Sequence, residues 1–512
     1  MQARPYQIDL LNAVRKGWDE FRKQLVVAPT GSGKTQCFSW MCEEEVNAGR
    51  RALILVDQDE LVWQTLEKLK QSTGIIGQVE KAEFRASKQA EVVVATVQSM
   101  ARRLESWPSD TFDLIIADEG DRSLSAQWQS VLKHFDSTAR VCSLTATPNR
   151  LDKRNLGEYY ENIAYEISLL ELIKQGYLSK ICIQMVPLRI DLSGVHLSQG
   201  DFDTTELDHA ITPYLSSAVD ALIKYAPTRK TLVFLPLIKT SEKFVALCRE
   251  RGLSAEHIDG TSEDRADKLA RFKRNEFSIL ANSSLLLRGY DDPKIDCIFF
   301  LRPTKSSTLF RQAIGRGTRI ADGKENLLLI DCLYQSGKNL ICRPATLIAK
   351  SDEEAEEITR LSEAQAGSEQ CDLLDLATQS VHTREEALRK KLEAMAKRKS
   401  VFISADEFAL RVHQPDLADF QPSMKWHESP MTDKQKEWVE KAGIDVDTVK
   451  SKGHASALLN VYFESRKSQP ASPRVKNLLR WKRWRSPDGL RGPDMATQED
   501  ARLFFKSGVM KR

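Results

Sequence analysis

The chain holds 512 residues, 41% of them hydrophobic and 29% charged, with a formal net charge of +3. That balance describes a globular protein of two to four domains and excludes a disordered or fibrous chain. No apolar run reaches the ~20 residues of a membrane span, and MQARPYQIDL lacks a signal-peptide core, so a cytoplasmic protein with no membrane contact is expected (bacterial cytoplasm or nucleoid, or a phage-infected cell).

In chain order, the first strong signal is QLVVAPTGSGKT (24–35), an apolar strand, a glycine-rich loop, then Lys34-Thr35 and a helix expected to reach about Glu45. That order is the context a phosphate-binding loop requires. Gly31 and Gly33 let the backbone turn its N–H groups inward, so that Pro29, Thr30, Gly31, Ser32 and Gly33 cradle phosphate oxygens at a helix N-terminus. Lys34 is expected to reach the β- and γ-phosphates of ATP, and Thr35 to ligate Mg²⁺. Apolar runs at 25–28, 52–56, 91–95, 113–117 and 141–145 alternate with helical patterns, which predicts a doubly wound parallel sheet. One of these runs ends in IIADEGD (115–121), three acids at the tip of a buried strand, where charge is costly unless something pairs with it. Beside a phosphate cradle, Asp118 is expected to hold Mg²⁺ and Glu119 to orient or deprotonate the attacking water.

A second series of apolar runs at 231–235, 255–258, 278–281, 296–301 and 327–331 predicts a second sheet of the same kind, with a hinge near 160–180. The polar stretch 190–215 reads as a loop or insertion. Beyond about residue 340, SDEEAEEITRLSEAQ and TREEALRKKLEAMAKRK predict charged, solvated helices with i, i+4 pairs. Residues 414–430 read as a linker, and 431–463 and 472–505 as two copies of a degenerate helical repeat. In the tail, Arg480, Trp481, Lys482, Arg483 and Trp484 interleave cations with aromatic rings. That pattern suits phosphate neutralisation and stacking on unpaired bases, and equally suits a small helical core with a basic rim. Nine scattered cysteines form no CxxC or Cys/His cluster, so reduced core thiols and no zinc are expected.

Six segments in order, ARPYQ (3–7), APTGSGKT (28–35), DEGD (118–121), TATP (145–148), RGYDDP (288–293) and QAIGRGTR (312–319), make residues 1–335 resemble superfamily 2 helicases and translocases of the DEAD/DEAH type. RPYQ with TATP resembles the DNA-repair and restriction branch. The segment FLRPTKSSTLFRQAIGRGTR is similar to RadD-like bacterial repair helicases and their phage relatives. Gly120 departs from the residue usual after the two acids. The resemblance implies an α/β fold of two tandem RecA-like domains (1–165 and 166–340), followed by a helical arm and linker (341–430) and a small helical module (431–512). It implies that Gln7 reads the adenine edge, that Gly289, Asp291 and Gln312 lie on the nucleotide side, and that Arg316 and Arg319 reach the γ-phosphate across a cleft. Thr96, within VVVATVQSM (92–100), resembles a nucleic-acid contact, while Thr145 and Thr147 would couple that contact to the nucleotide. The implied activity is an ATP- and Mg²⁺-dependent helicase or translocase, monomeric, on single-stranded or branched DNA, serving repair, recombination or phage replication. An RNA-directed motor and a sensor or clamp that does not unwind are the alternatives.

Overall fold

The structure is a computed structural model, which describes residues 3–120, 123–146, 156–198, 200–260, 262–283, 290–335, 341–349, 352–365, 370–395, 403–422 and 425–467. Residues 1–380 and 381–512 form two compact units.

The first unit holds two seven-stranded sheets. In the first, β1 (Lys23–Val27), β2 (Ala52–Val56), β3 (Gln78–Glu80), β4 (Val92–Thr96), β5 (Leu114–Asp118), β6 (Arg140–Thr145) and β7 (Asn162–Glu166) lie in the order β3-β4-β2-β5-β6-β1-β7, all parallel. Strands such as ALILV and VVVAT are buried along their whole length, as a parallel sheet covered on both faces demands. Helices α1 (Pro5–Gly17), α2 (Lys34–Asn47), α3 (Asp59–Thr73) and α4 (Val97–Ala101) connect or flank them. The topology decides where the chemistry sits. β6 pairs with β1 and with β5, in register at Val27↔Thr145 and Asp118↔Leu144. The C-terminal tips of β1 and β5 therefore face one crevice, with the end of β6 between them.

The second sheet comprises β8 (Ile181–Asp191), β11 (Thr231–Phe234), β12 (Ala255–Ile258), β13 (Ile279–Asn282), β14 (Cys297–Phe300), β15 (Leu327–Gln335) and β16 (Cys371–Asp372); β9 (Leu197–Ser198) and β10 (Asp201–Phe202) form a separate hairpin. Its order is β12-β13-β11-β14-β15-β8-β16, parallel except for the antiparallel edge strand β16. One apolar cluster joins Val26, Ile54 and Ile116 of the first sheet to Leu232, Phe300 and Leu329 of the second through Leu169, Leu172 and Leu178.

Three expectations need correction. Residues 190–215 are not merely a loop: the β9–β10 hairpin is followed by a helix, Thr204–Ile211, whose N-terminal N–H groups are capped by Asp203. Phe202, Leu207 and Ile211 are buried in the second sheet's core. The charged region after 340 contributes β16 to that sheet as well as helices. In the second unit, the stretch read as a linker is packed. Leu417 and Ala418 share one core with Phe408, Val439, Ile444 and Leu458, and Arg384 pairs with both Asp416 at 2.5 Å and Asp419 at 3.0 Å. Residues 472–505, the expected second repeat, lie outside the described residues. Among the described residues, no helix is long and apolar enough to cross a membrane, and no group of three His, Cys, Asp or Glu side chains is placed to hold a metal ion. Seven of the nine cysteines are buried.

Candidate active site

The loop between β1 and α2 turns on Gly31 and Gly33, both left-handed at φ 88° and 79°, a conformation that a Cβ opposes. Gly33 is the N-cap of α2, so the N–H groups of Lys34 and Thr35 open the helix without intrahelical partners and favour an anion there. A Cβ on Gly33 would lie 2.7 Å from Gln7 Nε2, so α1 presses against the loop. Tyr6 donates its hydroxyl to the Ser32 carbonyl at 2.6 Å, and Gln7 Nε2 donates to the same carbonyl at 3.3 Å. Lys34 Nζ donates to the Ala28 and Pro29 carbonyls at 3.0 and 3.3 Å. Ser32 Oγ is buried and makes no hydrogen bond, a polar atom left inside the loop.

At the tip of β5, Glu119 has φ 60°, a conformation that costs a non-glycine residue about 1–3 kcal/mol. Its N–H donates to Asp118 Oδ1 at 3.1 Å. Burial pushes the Asp118 carboxyl up to about 6; the charge of Glu119 adds to the shift, while Lys34 and the Glu119 N–H oppose it. Carboxylates and ammonium thus share one field. The unusual Gly120 has a steric reason. A Cβ there would sit 2.8 Å from Ser143 Cβ and 3.4 Å from Leu25 Cδ1, and Ser143 is fixed by a hydrogen bond to the Tyr160 hydroxyl at 2.5 Å.

From the second sheet, the helix Ser307–Ile314 delivers its C-terminal end onto the phosphate loop. A Cβ on Gly315 would lie 2.4 Å from Thr30 Cβ, and one on Gly31 would lie 3.2 Å from Thr318 Oγ1 and 3.7 Å from Arg319 Cγ. Arg319 is ion-paired with Asp291, and Arg316 Nη1 donates to the Tyr290 carbonyl at 2.9 Å. Burial, and next the Arg319 charge, hold Arg316 down to about 10, with Glu119 and Asp291 acting in the opposite sense. Glu119 of the first sheet therefore lies in the field of Arg316 of the second. Gln312 is buried on the same helix, and the Ala28 N–H donates to the Thr145 carbonyl at 2.9 Å. Three cations and three carboxylates, Asp291 on Arg319 among them, converge on one loop, the equipment of phosphoryl transfer.

Residues 1–150 match the family described as Type III restriction enzyme, res subunit, and residues 215–321 match the Helicase conserved C-terminal domain. A Saccharomyces cerevisiae protein named as an ATP-dependent helicase, IRC3, is 29% identical over 372 residues, which are 68% of this chain and 54% of the relative. In both of these domains the chain is similar to superfamily 2 helicases. The Type I restriction enzyme EcoAI endonuclease subunit of Escherichia coli is 28% identical over 363 residues, 62% of this chain and 44% of its own. The chain therefore spans about half the length of these curated relatives. In fold, it is similar to the ATP-dependent Type ISP restriction-modification enzyme LlaBIII bound to DNA, with a TM-score of 0.54 at 17% identity over 100% of this chain and 38% of that one.

Within the chain, Lys34, Asp118, Glu119, Arg316, Arg319, Asp291, Gln7 and the loop 29–35 are brought together. Thr96 is placed differently from a surface contact. It is buried, and its hydroxyl accepts from Ser99 N at 3.3 Å to cap α4. Thr147, Gly289 and the tail residues Arg480, Trp481, Lys482, Arg483 and Trp484 lie outside the described residues. Sequence reasoning passed over Arg4 and Tyr177. The Arg4 guanidinium lies 5.3 Å from the Tyr177 ring centre, and Tyr177 packs on Tyr6 at 5.0 Å, beside Gln7. Arg4 stood within the quoted RPYQ; nothing in the sequence around Tyr177 pointed to this place.

Proposed function

We propose that the chain is an ATP-driven DNA motor, hydrolysing ATP at the seam between the two sheets and coupling each cycle to movement along, or remodelling of, a DNA strand. The observation that carries this reading is the seating of Gly315, Thr318 and Arg319 on Thr30 and Gly31. An arginine carried by one domain against the phosphate loop of another makes hydrolysis depend on how the domains meet. Lys34 binds the β- and γ-phosphates, Glu119 orients the attacking water, and Arg316 and Arg319 stabilise charge on the transferred phosphoryl group. Gln7 reads the adenine edge, with Arg4 and Tyr177 beside it. The hard oxygen donors Asp118 and Thr35 suit Mg²⁺, and the unsatisfied Ser32 Oγ suits a phosphate-bearing ligand. When bound, Mg²⁺ would neutralise phosphate charge.

DNA is favoured over RNA by the restriction-enzyme relatives, and repair, recombination or phage replication by the RadD-like segment at 300–319. The test is ATP hydrolysis and strand displacement on forked DNA, single-stranded DNA, duplex DNA and the matching RNAs. Stimulation and displacement on DNA are expected. Stimulation by RNA alone would overturn the DNA assignment, and tight ATP-dependent binding without displacement or stepping would make the chain a clamp.

A further inference from the structure

The loop that carries the two arginines is pinned by a lysine that lies outside it. Lys324 lies in ADGKEN (321–326), between the arginine loop and β15. Its ammonium donates to the carbonyls of Gly317, of Arg319 at 2.7 Å and of Pro293 at 3.3 Å. Gly317 and Arg319 belong to the arginine loop. Pro293 closes the Tyr290–Asp291–Asp292 loop, which supplies the acceptor of Arg316 and the ion-pair partner of Arg319. One cation therefore ties together the two stretches of backbone whose side chains aim the arginines. The opposite side of the loop is closed as well. A Cβ on Gly317 would lie 2.4 Å from Leu327 Cδ1, so the loop cannot sink toward the sheet.

Nearby acids are engaged elsewhere. Asp292 pairs with Lys230 at 2.7 Å, and Asp296 lies 3.9 Å from Arg229 and accepts from Lys230 N at 2.7 Å. Burial holds the Lys324 amine down to about 8; Arg319 and Arg229 act in the same sense, while Asp296 and Asp292 oppose them. A buried ammonium costs free energy unless its three donors are satisfied, and here backbone carbonyls satisfy them.

We propose that Lys324 is a positioning residue for hydrolysis, fixing the backbone of the arginine loop against the Tyr290–Pro293 loop so that Arg316 and Arg319 are presented to the phosphates together. This rests on the ATP-hydrolysis reading above. On losing its proton, the amine keeps two N–H donors for three carbonyls, so wild-type turnover should decline above a pH of about 8.

The test uses the full chain with Lys324→Met and Lys324→Arg, measuring kcat and KM for ATP between pH 6.5 and 9.5, with thermal melting as the check on folding. In Lys324→Met, kcat should fall on the order of 10- to 100-fold, the scale of a misplaced catalytic group, with KM near wild type and the alkaline decline gone. Lys324→Arg keeps its charge throughout this range, so it should recover part of kcat and lack the decline. Wild-type kcat in Lys324→Met, a retained alkaline decline in either variant, or a rise in KM matching the loss of kcat would overturn the proposal. If Lys324→Met fails to fold, Lys324→Arg decides by its alkaline limb alone. Failure of the underlying reading is separately visible, as wild-type protein that does not hydrolyse ATP.

Discussion

At the scale of single residues, the two adjacent acids should separate cleanly. Glu119→Gln keeps the shape and the φ 60° backbone but removes the water-activating carboxylate, so kcat should fall by about 10²–10⁴-fold with ATP affinity retained. Asp118→Asn should instead raise the Mg²⁺ concentration needed for half-maximal turnover. Magnesium titrations of both variants check this, and identical curves would refute the division of labour. Arg319→Ala should lower kcat by ~10³–10⁵-fold if its charge is needed mainly in the transition state; nucleotide binding measured by fluorescence should change little. An equal loss of binding would make Arg319 a ground-state contact and leave Arg316 as the better candidate. Lys34, Asp118 and Glu119 were legible because each stands at a fixed offset from a strand end. Gly120 and Lys324 were not, because their reasons are a neighbour's Cβ, Ser143, and three backbone carbonyls that only the folded loops gather around one ammonium.

At the scale of elements, the contact between the helix Ser307–Ile314 and the phosphate loop is the sensitive joint. Gly315, the C-cap of that helix, has φ −58°, a backbone conformation that alanine adopts without strain. Its methyl would nevertheless meet Thr30 at 2.4 Å. Gly315→Ala should therefore lower ATP turnover and, through overpacking of about 1–3 kcal/mol, the melting temperature as well; unchanged turnover would show that the two elements need not touch. β15 offers a pH test. Burial pushes buried Asp331 up to about 6 from 3.8; Arg343, whose Nη1 is 3.8 Å away, only partly offsets this, and Glu363 adds to the rise. A folded-state value above the unfolded one means that the stabilising contribution is present below about pH 4 and lost as pH rises through about 6. Asp331→Asn should thus gain on wild type by up to about 3 kcal/mol more at pH 7.5 than at pH 4. Denaturant midpoints at the two pH values check it, and a gap independent of pH would contradict the assignment. The long apolar strands were legible from their runs of branched residues, whereas β8 was hidden. Its sequence ICIQMVPLRID carries Pro187 opposite a register shift between Cys332 and Tyr334. Proline cannot donate to a ladder and is tolerated at such an irregularity.

At the scale of the whole molecule, every group assigned to hydrolysis lies within residues 1–380, one compact unit in which both sheets share an apolar cluster. Truncation at residue 430 would cut through the core that joins Phe408 to Val439 and Leu458, so removal of 468–512 is the cleaner way to ask whether the basic tail meets DNA. That shorter chain should retain basal ATP turnover and show a flatter dependence of DNA affinity on salt, because fewer counterions are released; an unchanged slope would assign the tail another role. The most direct measurement is steady-state ATP hydrolysis with and without single-stranded DNA, for wild type and Lys34→Ala. Expected are a rise in wild-type turnover on adding DNA and no turnover above background in Lys34→Ala under either condition. Turnover indifferent to every nucleic acid, or retained without the Lys34 ammonium, would contradict a DNA-driven ATPase at the seam of the two sheets.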